Sequence, residues 1–89
     1  IMANVRNLKK DINFVLGDII EAVYIWEMST AGQPTEKSQA VIDEAISKFD
    51  SLIERVNDKK AENKKMHFKA IYSDLEETAN QLVEKINTL

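Results

Sequence analysis

The first third of the chain carries apolar residues at alternating spacings of three and four, with no proline among them. Since an α-helix turns by about 100° per residue, this spacing places their side chains on one face. The STAGQP segment that follows, residues 29–34, combines a glycine suited to a left-handed turn with a proline that cannot continue a helix. We therefore predict a helix over residues 4–28, capped by Asn4. Its apolar series is Val5, Leu8, Ile12, Val15, Ile19, Ala22 and Trp26.

A second helix is predicted over residues 36–57. Thr35 or Ser38 can cap its N-terminus, and Glu36 suits the positive end of the helix dipole. The apolar side chains of this segment fall in one arc of the helical wheel, while the charged residues occupy the opposite side. This pattern is typical of an amphipathic helix with one buried face.

A heptad repeat marks the third helix, predicted over residues 63–88. Phe68, Leu75 and Leu82 recur every seven residues, and such a repeat forms a continuous apolar seam along a helix. The preceding NDKKAENKK segment has no apolar periodicity, so we predict that it forms the middle loop.

Three long helices joined by short connections pack most simply as an up-down-up antiparallel bundle. We therefore expect an all-α fold in which residues 1–89 form a single three-helix domain. A chain of this size buries only about 60–65% of the surface that its unfolded form exposes, so a partner subunit would help to stabilise it. The predicted core consists of Ile12, Val15, Ile19, Trp26, Ile42, Phe49, Leu52, Ile71, Leu75 and Leu82.

The first helix carries more apolar side chains than one core face requires. Phe14 and Ile25 project from its other side, and Gly17 stands between them, where it costs about 1 kcal/mol relative to alanine and leaves a gap for another helix. Scattered surface hydrophobic residues are the alternative interpretation. We predict a homodimer whose two-fold axis, near residues 19–20, brings Phe14 against Ile25 of the second copy. The predicted interface consists of Phe14, Gly17, Asp18, Ile25 and Met28.

Two pairs of carboxylates with a spacing of three residues, Asp18/Glu21 and Asp74/Glu77, could each share a helix face and hold a divalent cation. They resemble the paired acidic motifs of the all-helical nucleotide pyrophosphohydrolases. This resemblance implies a metal-dependent nucleotide phosphohydrolase as an alternative function. The order of the acids differs, however, and the first helix has no third carboxylate in step, so solvated carboxylates are the preferred interpretation.

Lysines are concentrated between Lys59 and Lys69, and this cluster could bind nucleic acid through its phosphates. In a chain of net charge −3, a solvated loop is the preferred interpretation. His67 is the only histidine and is expected on the surface, and the chain has no cysteine. No nucleophilic triad or thiolate metal site is therefore indicated. We predict no catalytic, cofactor-binding or metal-binding residues, and no cofactor.

The segments NLKKDINFVLGDIIEAVYIWE and HFKAIYSDLEETANQLVEKINTL, which cover about half of the chain, are similar to small, uncharacterised bacterial helical-bundle proteins. The resemblance implies a helical bundle and no particular activity. Because no catalytic constellation appears, we expect a non-enzymatic protein–protein interaction or assembly module, with a second copy or another protein as its partner. Asp18 and Glu21 interrupt the apolar run of the first helix, so no membrane span is predicted. The cytoplasm is the default location.

Overall fold

The computed structural model describes residues 5–58, 60 and 62–89, and every regular element in these ranges is helical. The helices are α1, Val5–Trp26; α2, Glu36–Val56; and α3, Lys64–Asn87. A π-helical turn, Glu27–Ala31, continues α1. The predicted all-α class with three helices is therefore confirmed. Asn4, the expected cap of α1, lies outside the described residues.

Capping groups define the connection between α1 and α2. Gly32 has a φ of 74°, the left-handed conformation expected of it. The side chain of Thr35 accepts a hydrogen bond from the Ser38 backbone N–H at 3.0 Å, while Ser38 Oγ accepts one from the Thr35 N–H at 2.9 Å. This reciprocal pair is a capping box, so both residues that the sequence offers as caps take part. At the start of α3, Asn63 accepts a hydrogen bond from the Met66 N–H at 3.1 Å.

Helices α1 and α3 run in the same direction. Near the start of both, the Tyr72 hydroxyl donates a hydrogen bond to Asp11 Oδ2 at 2.8 Å. One turn further along α1, Val15 lines the same groove as Glu76 and Ala79, which follow Tyr72 along α3. The two helices therefore lie side by side and in register at this level.

Helix α2 runs in the opposite direction to α3. Glu44, in the first half of α2, forms an ion pair with Lys85 near the end of α3. Arg55, in the last turn of α2, forms one with Asp74, which precedes Lys85 along α3. The order of these pairs reverses between the two helices, which gives the up-down-up arrangement.

The core lies between the three helices, and each contributes one buried stripe. Among the predicted core residues, the buried ones are Ile12, Ile19, Ile42, Leu52, Ile71, Leu75 and Leu82. Val15 and Phe49 are partly buried and pack against them. The core also contains Leu8, Leu16, Val23, Val41, Ala45, Val56 and Phe68. The heptad seam of α3 is thus the buried face of that helix.

Trp26 is the exception, since it is only partly buried and lies outside the core cluster. The buried stripe of α1 and the π-helical turn passes through Leu8, Ile12, Leu16, Ile19, Val23 and Glu27. Most of these spacings are four residues, which is more than the helical period of about 3.6 residues. The buried stripe therefore turns gradually around the helix axis. By the end of α1 it no longer follows the row of side chains that contains Val15 and Trp26. The prediction of Trp26 as a core residue was wrong, and Glu27 occupies the buried position at this end.

Candidate interaction surface

Phe14, Ile25 and Met28 are exposed apolar side chains on the side of α1 and its π-helical turn that faces away from the core, and Val5 and Tyr24 of α1 are exposed as well. The exposed fractions are 54% for Phe14, 58% for Ile25 and 81% for Met28. Phe14 and Ile25 are three helical turns apart, or about 16 Å along the axis. Gly17 and Asp18 lie between them and are also exposed. We call Phe14, Gly17, Asp18, Ile25 and Met28 the outer α1 face, and they are the residues that the sequence predicts as an interface.

Gly17 is not required by packing within the chain. A Cβ atom built on it would have no other atom within 4 Å, and its φ lies outside the left-handed region. A glycine in the middle of an α-helix nevertheless costs about 1 kcal/mol relative to alanine. The missing side chain therefore leaves open space only towards the outside of the bundle.

The charged residues beside Phe14 differ in sign along α1. Lys10 Nζ lies 5.5 Å from the centroid of the Phe14 ring, within the range of a cation–π contact. Asp18 and Glu21 are exposed on the other side of Phe14, towards the end of the helix. Neither belongs to the two ion pairs formed among the described residues. The outer α1 face thus combines apolar groups with the carboxylate of Asp18, and Glu21 lies beside it.

An open groove between α1 and α3 borders the outer α1 face. Phe14 and Asp11 line one side, and Tyr72, Lys69 and Glu76 line the other. Burial raises the pKa of Tyr72 above its ordinary value, and the hydrogen bond to Asp11 and the charge of that carboxylate raise it further. The neutral phenol is therefore the form that the folded protein favours, and it joins the two walls of the groove.

The structure does not bring the two predicted carboxylate pairs, Asp18/Glu21 and Asp74/Glu77, together into one cluster. Asp74 pairs with Arg55, and Glu77 accepts a hydrogen bond from Gln81 Nε2 at 3.5 Å. Within residues 5–58, 60 and 62–89, no group of three or more aspartate, glutamate or histidine side chains could hold a metal ion. The geometry therefore offers nothing that favours the phosphohydrolase alternative.

The lysine cluster lies around the start of α3. Lys60, Lys64, Lys65 and Lys69 are exposed, whereas Lys59 lies outside the described residues. These side chains can contact a phosphate, but phosphate contacts do not by themselves select a base sequence. The same exposure is expected of lysines at a helix end that contacts only solvent.

His67 is not the plain surface residue that the sequence suggests. It is partly buried, and its Nε2 donates a hydrogen bond to the Arg55 backbone oxygen at 2.6 Å. Its ring also lies 5.8 Å from that of Phe68. Because Arg55 is in the last turn of α2, His67 satisfies a carbonyl at the end of that helix and has a structural role.

Glu27 is a buried polar residue that sequence reasoning missed. Ser38 Oγ donates a hydrogen bond to its Oε2, and Gln39 Nε2 donates a second at 2.9 Å. The only signal in the sequence is that Glu27 follows Val23 by four residues, in step with the buried stripe. These bonds join the end of α1 to the capping box of α2, so Glu27 positions the outer α1 face relative to the rest of the bundle.

Comparisons with protein-family models, with curated proteins and with solved structures find no match to this chain. The similarity to small bacterial helical-bundle proteins therefore stays a prediction. Among the described residues, no helix has both the length and the apolar character needed to cross a bilayer.

Proposed function

We propose that the protein is a non-enzymatic protein–protein interaction or assembly module of the cytoplasm, and that it forms a homodimer through the outer α1 face. The observation that carries this proposal is the exposure of Phe14, Ile25 and Met28 on the side of α1 that the core does not use. Apolar side chains that are grouped on one surface are typical of a site that another molecule covers.

The open space beside Gly17 adds support to this proposal. Since no atom of the chain fills it, the cost of a glycine in mid-helix has no compensation within the bundle. A helix of a second copy can approach closely at such a position, and closer approach increases the apolar area that both copies bury. Enzymatic and nucleic-acid-binding functions have no comparable observation in their favour.

Sedimentation equilibrium of the wild type and of Phe14→Glu/Ile25→Glu tests the proposal. We expect a wild-type dimer at protein concentrations of tens of micromolar, and a monomer for the double variant. The two new carboxylates would have to be buried without partners in the dimer, at a cost of several kcal/mol. In the monomer both positions are open to solvent, so circular dichroism should show unchanged helix content.

Ile46→Glu is the matched control. Ile46 is 47% exposed, comparable to Phe14 and Ile25, but it lies on α2. This variant should dimerise like the wild type. A wild-type monomer at these concentrations would refute the homodimer, and a dimer that survives both charges on α1 would move the interface elsewhere on the bundle.

A further inference from the structure

Charged side chains follow the same order along the parallel helices α1 and α3. On α1 the cations Arg6, Lys9 and Lys10 precede the exposed carboxylates Asp18 and Glu21. On α3 the cations Lys64, Lys65 and Lys69 precede the exposed carboxylates Glu76, Glu77 and Glu84. The exceptions, Asp11, Asp74 and Lys85, already bond partners within the bundle. Both helices are thus basic in their first half and acidic in their second half. We call the side of the bundle along the groove between them, which Asp11, Phe14, Lys69, Tyr72 and Glu76 line, the α1–α3 face.

This order opposes the helix dipole, which favours acidic residues in the first turn of a helix and basic residues in the last. Neither α1 nor α3 has an acidic residue in its first turn. Helix α2 has the favoured order, with Glu36 in its first turn and Arg55 in its last. Helix α3 has the favoured cation Lys85 in its last turn, where it pairs with Glu44. The cations in the first turns of α1 and α3 are unfavourable for those helices, and attraction to a second molecule would offset that cost.

The same alternation is repeated at short range around Phe14. Lys10, Phe14 and Asp18 follow one another at intervals of four residues along α1, about 6 Å apart along the axis. Lys10 Nζ contacts the Phe14 ring, and Asp18 is exposed and outside the ion pairs formed by the described residues. Phe14 thus has a cation four residues before it and an anion four residues after it.

We infer that a second copy of the chain covers the α1–α3 face in antiparallel orientation, with the two-fold axis beside Phe14. This inference rests on the proposed function and specifies how the dimer is built. Rotation about that axis places Lys10 of each copy opposite Asp18 of the other, with the two Phe14 rings together near the axis. The basic end of α3 then faces the acidic end of the second α3. Opposite charges meet on both sides of a central apolar contact, while Glu76, which lines the groove beside Phe14, lies close to Glu76 of the second copy.

The charges on α1 distinguish this register from one centred near residues 19–20, which the apolar spacing alone favours. Centred there, Phe14 meets Ile25 of the second copy, but Asp18 faces Glu21, and symmetry repeats this repulsive pair. Centred at Phe14, Val5 at the start of α1 of the second copy lies opposite Val23, so Ile25 is at the rim and Met28 lies beyond it. The open space beside Gly17 leaves room for the opposing aromatic ring.

Reversal of single charges tests the register. Lys10→Glu and Asp18→Lys each convert two attractive contacts into two repulsive ones. At low salt we expect each variant to weaken dimerisation by about tenfold to a hundredfold in sedimentation equilibrium. At about 1 M NaCl the variants should differ much less from the wild type, because salt screens exposed charges.

Two combinations of these variants should restore association. The double variant Lys10→Glu/Asp18→Lys exchanges the charges within one chain, so opposite signs face each other again. A mixture of the two single variants forms a heterodimer in which one copy carries two acidic side chains and the other two basic ones. Both combinations should dimerise about as tightly as the wild type. Asp43→Lys is the matched control, since it changes the net charge as Asp18→Lys does but lies on the exposed side of α2.

The outcomes separate this inference from the proposed function. If Asp18→Lys strengthens the dimer and Lys10→Glu leaves it unchanged, the register near residues 19–20 is the correct one and the homodimer survives. A dimer that Phe14→Glu/Ile25→Glu abolishes but both reversals leave intact also overturns the inference alone. A wild-type monomer overturns both. If a short DNA duplex then raises the melting temperature of that monomer, a polyanion occupies the basic end instead.

Discussion

Tyr72 is a single residue that joins two helices through a polar contact at the edge of the core. It is partly buried, and its hydroxyl donates to Asp11 at 2.8 Å. Burial raises its pKa, and the bond to Asp11 and the carboxylate charge raise it further, so the folded protein favours the neutral phenol. This preference stabilises the folded state fully when the pH is below the tyrosine pKa of the unfolded chain, about 10. The stabilisation is lost as the pH rises through the higher pKa that Tyr72 has in the folded protein.

Tyr72→Phe should therefore change stability in two ways. At neutral pH we expect a loss of about 1 kcal/mol in urea denaturation, because Asp11 loses a hydrogen bond. Above about pH 10 the variant should lose less stability with rising pH than the wild type does. Tyr24→Phe, at an exposed phenol of α1, is the control and should leave the alkaline profile unchanged. If the free energy of unfolding depends on pH in the same way for Tyr72→Phe and for the wild type, that result would argue against the contact with Asp11.

At the scale of the secondary-structure element, α1 has two faces, an inner one that is buried and an outer one that is exposed. Its inner face is fully buried from Leu8 to Val23, while its outer face tolerates a glycine that no contact requires. The helix is therefore less stable than its packing would allow. This is expected where a surface is also selected for contact with a partner.

Gly17→Ala measures how much the glycine lowers the free energy of unfolding of the single chain. In the Phe14→Glu/Ile25→Glu background, where no dimer contributes, we expect a gain of about 0.5–1 kcal/mol in urea denaturation. In the otherwise unaltered chain, the added methyl should weaken dimerisation. Gly32→Ala provides the contrast, because its φ of 74° strains any residue with a Cβ, and it should lose about 1 kcal/mol. Destabilisation by Gly17→Ala in the monomeric background would mean that Gly17 has a packing role within the chain.

The helices could be predicted from the sequence because their signals are local. Apolar spacing, the capping pair Thr35 and Ser38 and the left-handed Gly32 each act within a few residues. The choice between Trp26 and Glu27 as the buried residue could not be predicted in this way. It depends on which side of α1 the packing turns towards the core near the end of the helix. It also depends on the hydrogen-bond donors Ser38 and Gln39, which α2 supplies to Glu27.

Part of the candidate surface was also predictable. The helical wheel places Phe14, Ile25 and Met28 away from the core line, and the structure leaves them exposed. The contact between His67 and Arg55 was not predictable, since it joins two helices through a backbone carbonyl. Phe14 stays exposed in the single chain, so neither the local pattern nor packing within the chain determines what contacts it.

For the whole molecule, one core shared by three helices determines stability. Leu75 lies in the middle of the α3 seam and is buried against the other helices. Leu75→Ala should cost about 2–5 kcal/mol in denaturant unfolding, as truncation of a well-packed leucine does. Val83→Ala, at an exposed position of the same helix, should cost less than about 0.5 kcal/mol. A similarly small loss for Leu75→Ala would contradict the heptad seam as a core element.

The contact between Asp11 and Tyr72 also bears on the order in which the chain can assemble. It joins residues 61 positions apart, whereas α1 with α2, and α2 with α3, are neighbours along the chain. Contacts between distant residues close large loops and are entropically the most expensive to form early. During synthesis α1 emerges before α3, so the α1–α3 face cannot form until α3 has also been synthesised. A dimer built on that face can therefore form only between chains in which α3 has already packed against α1.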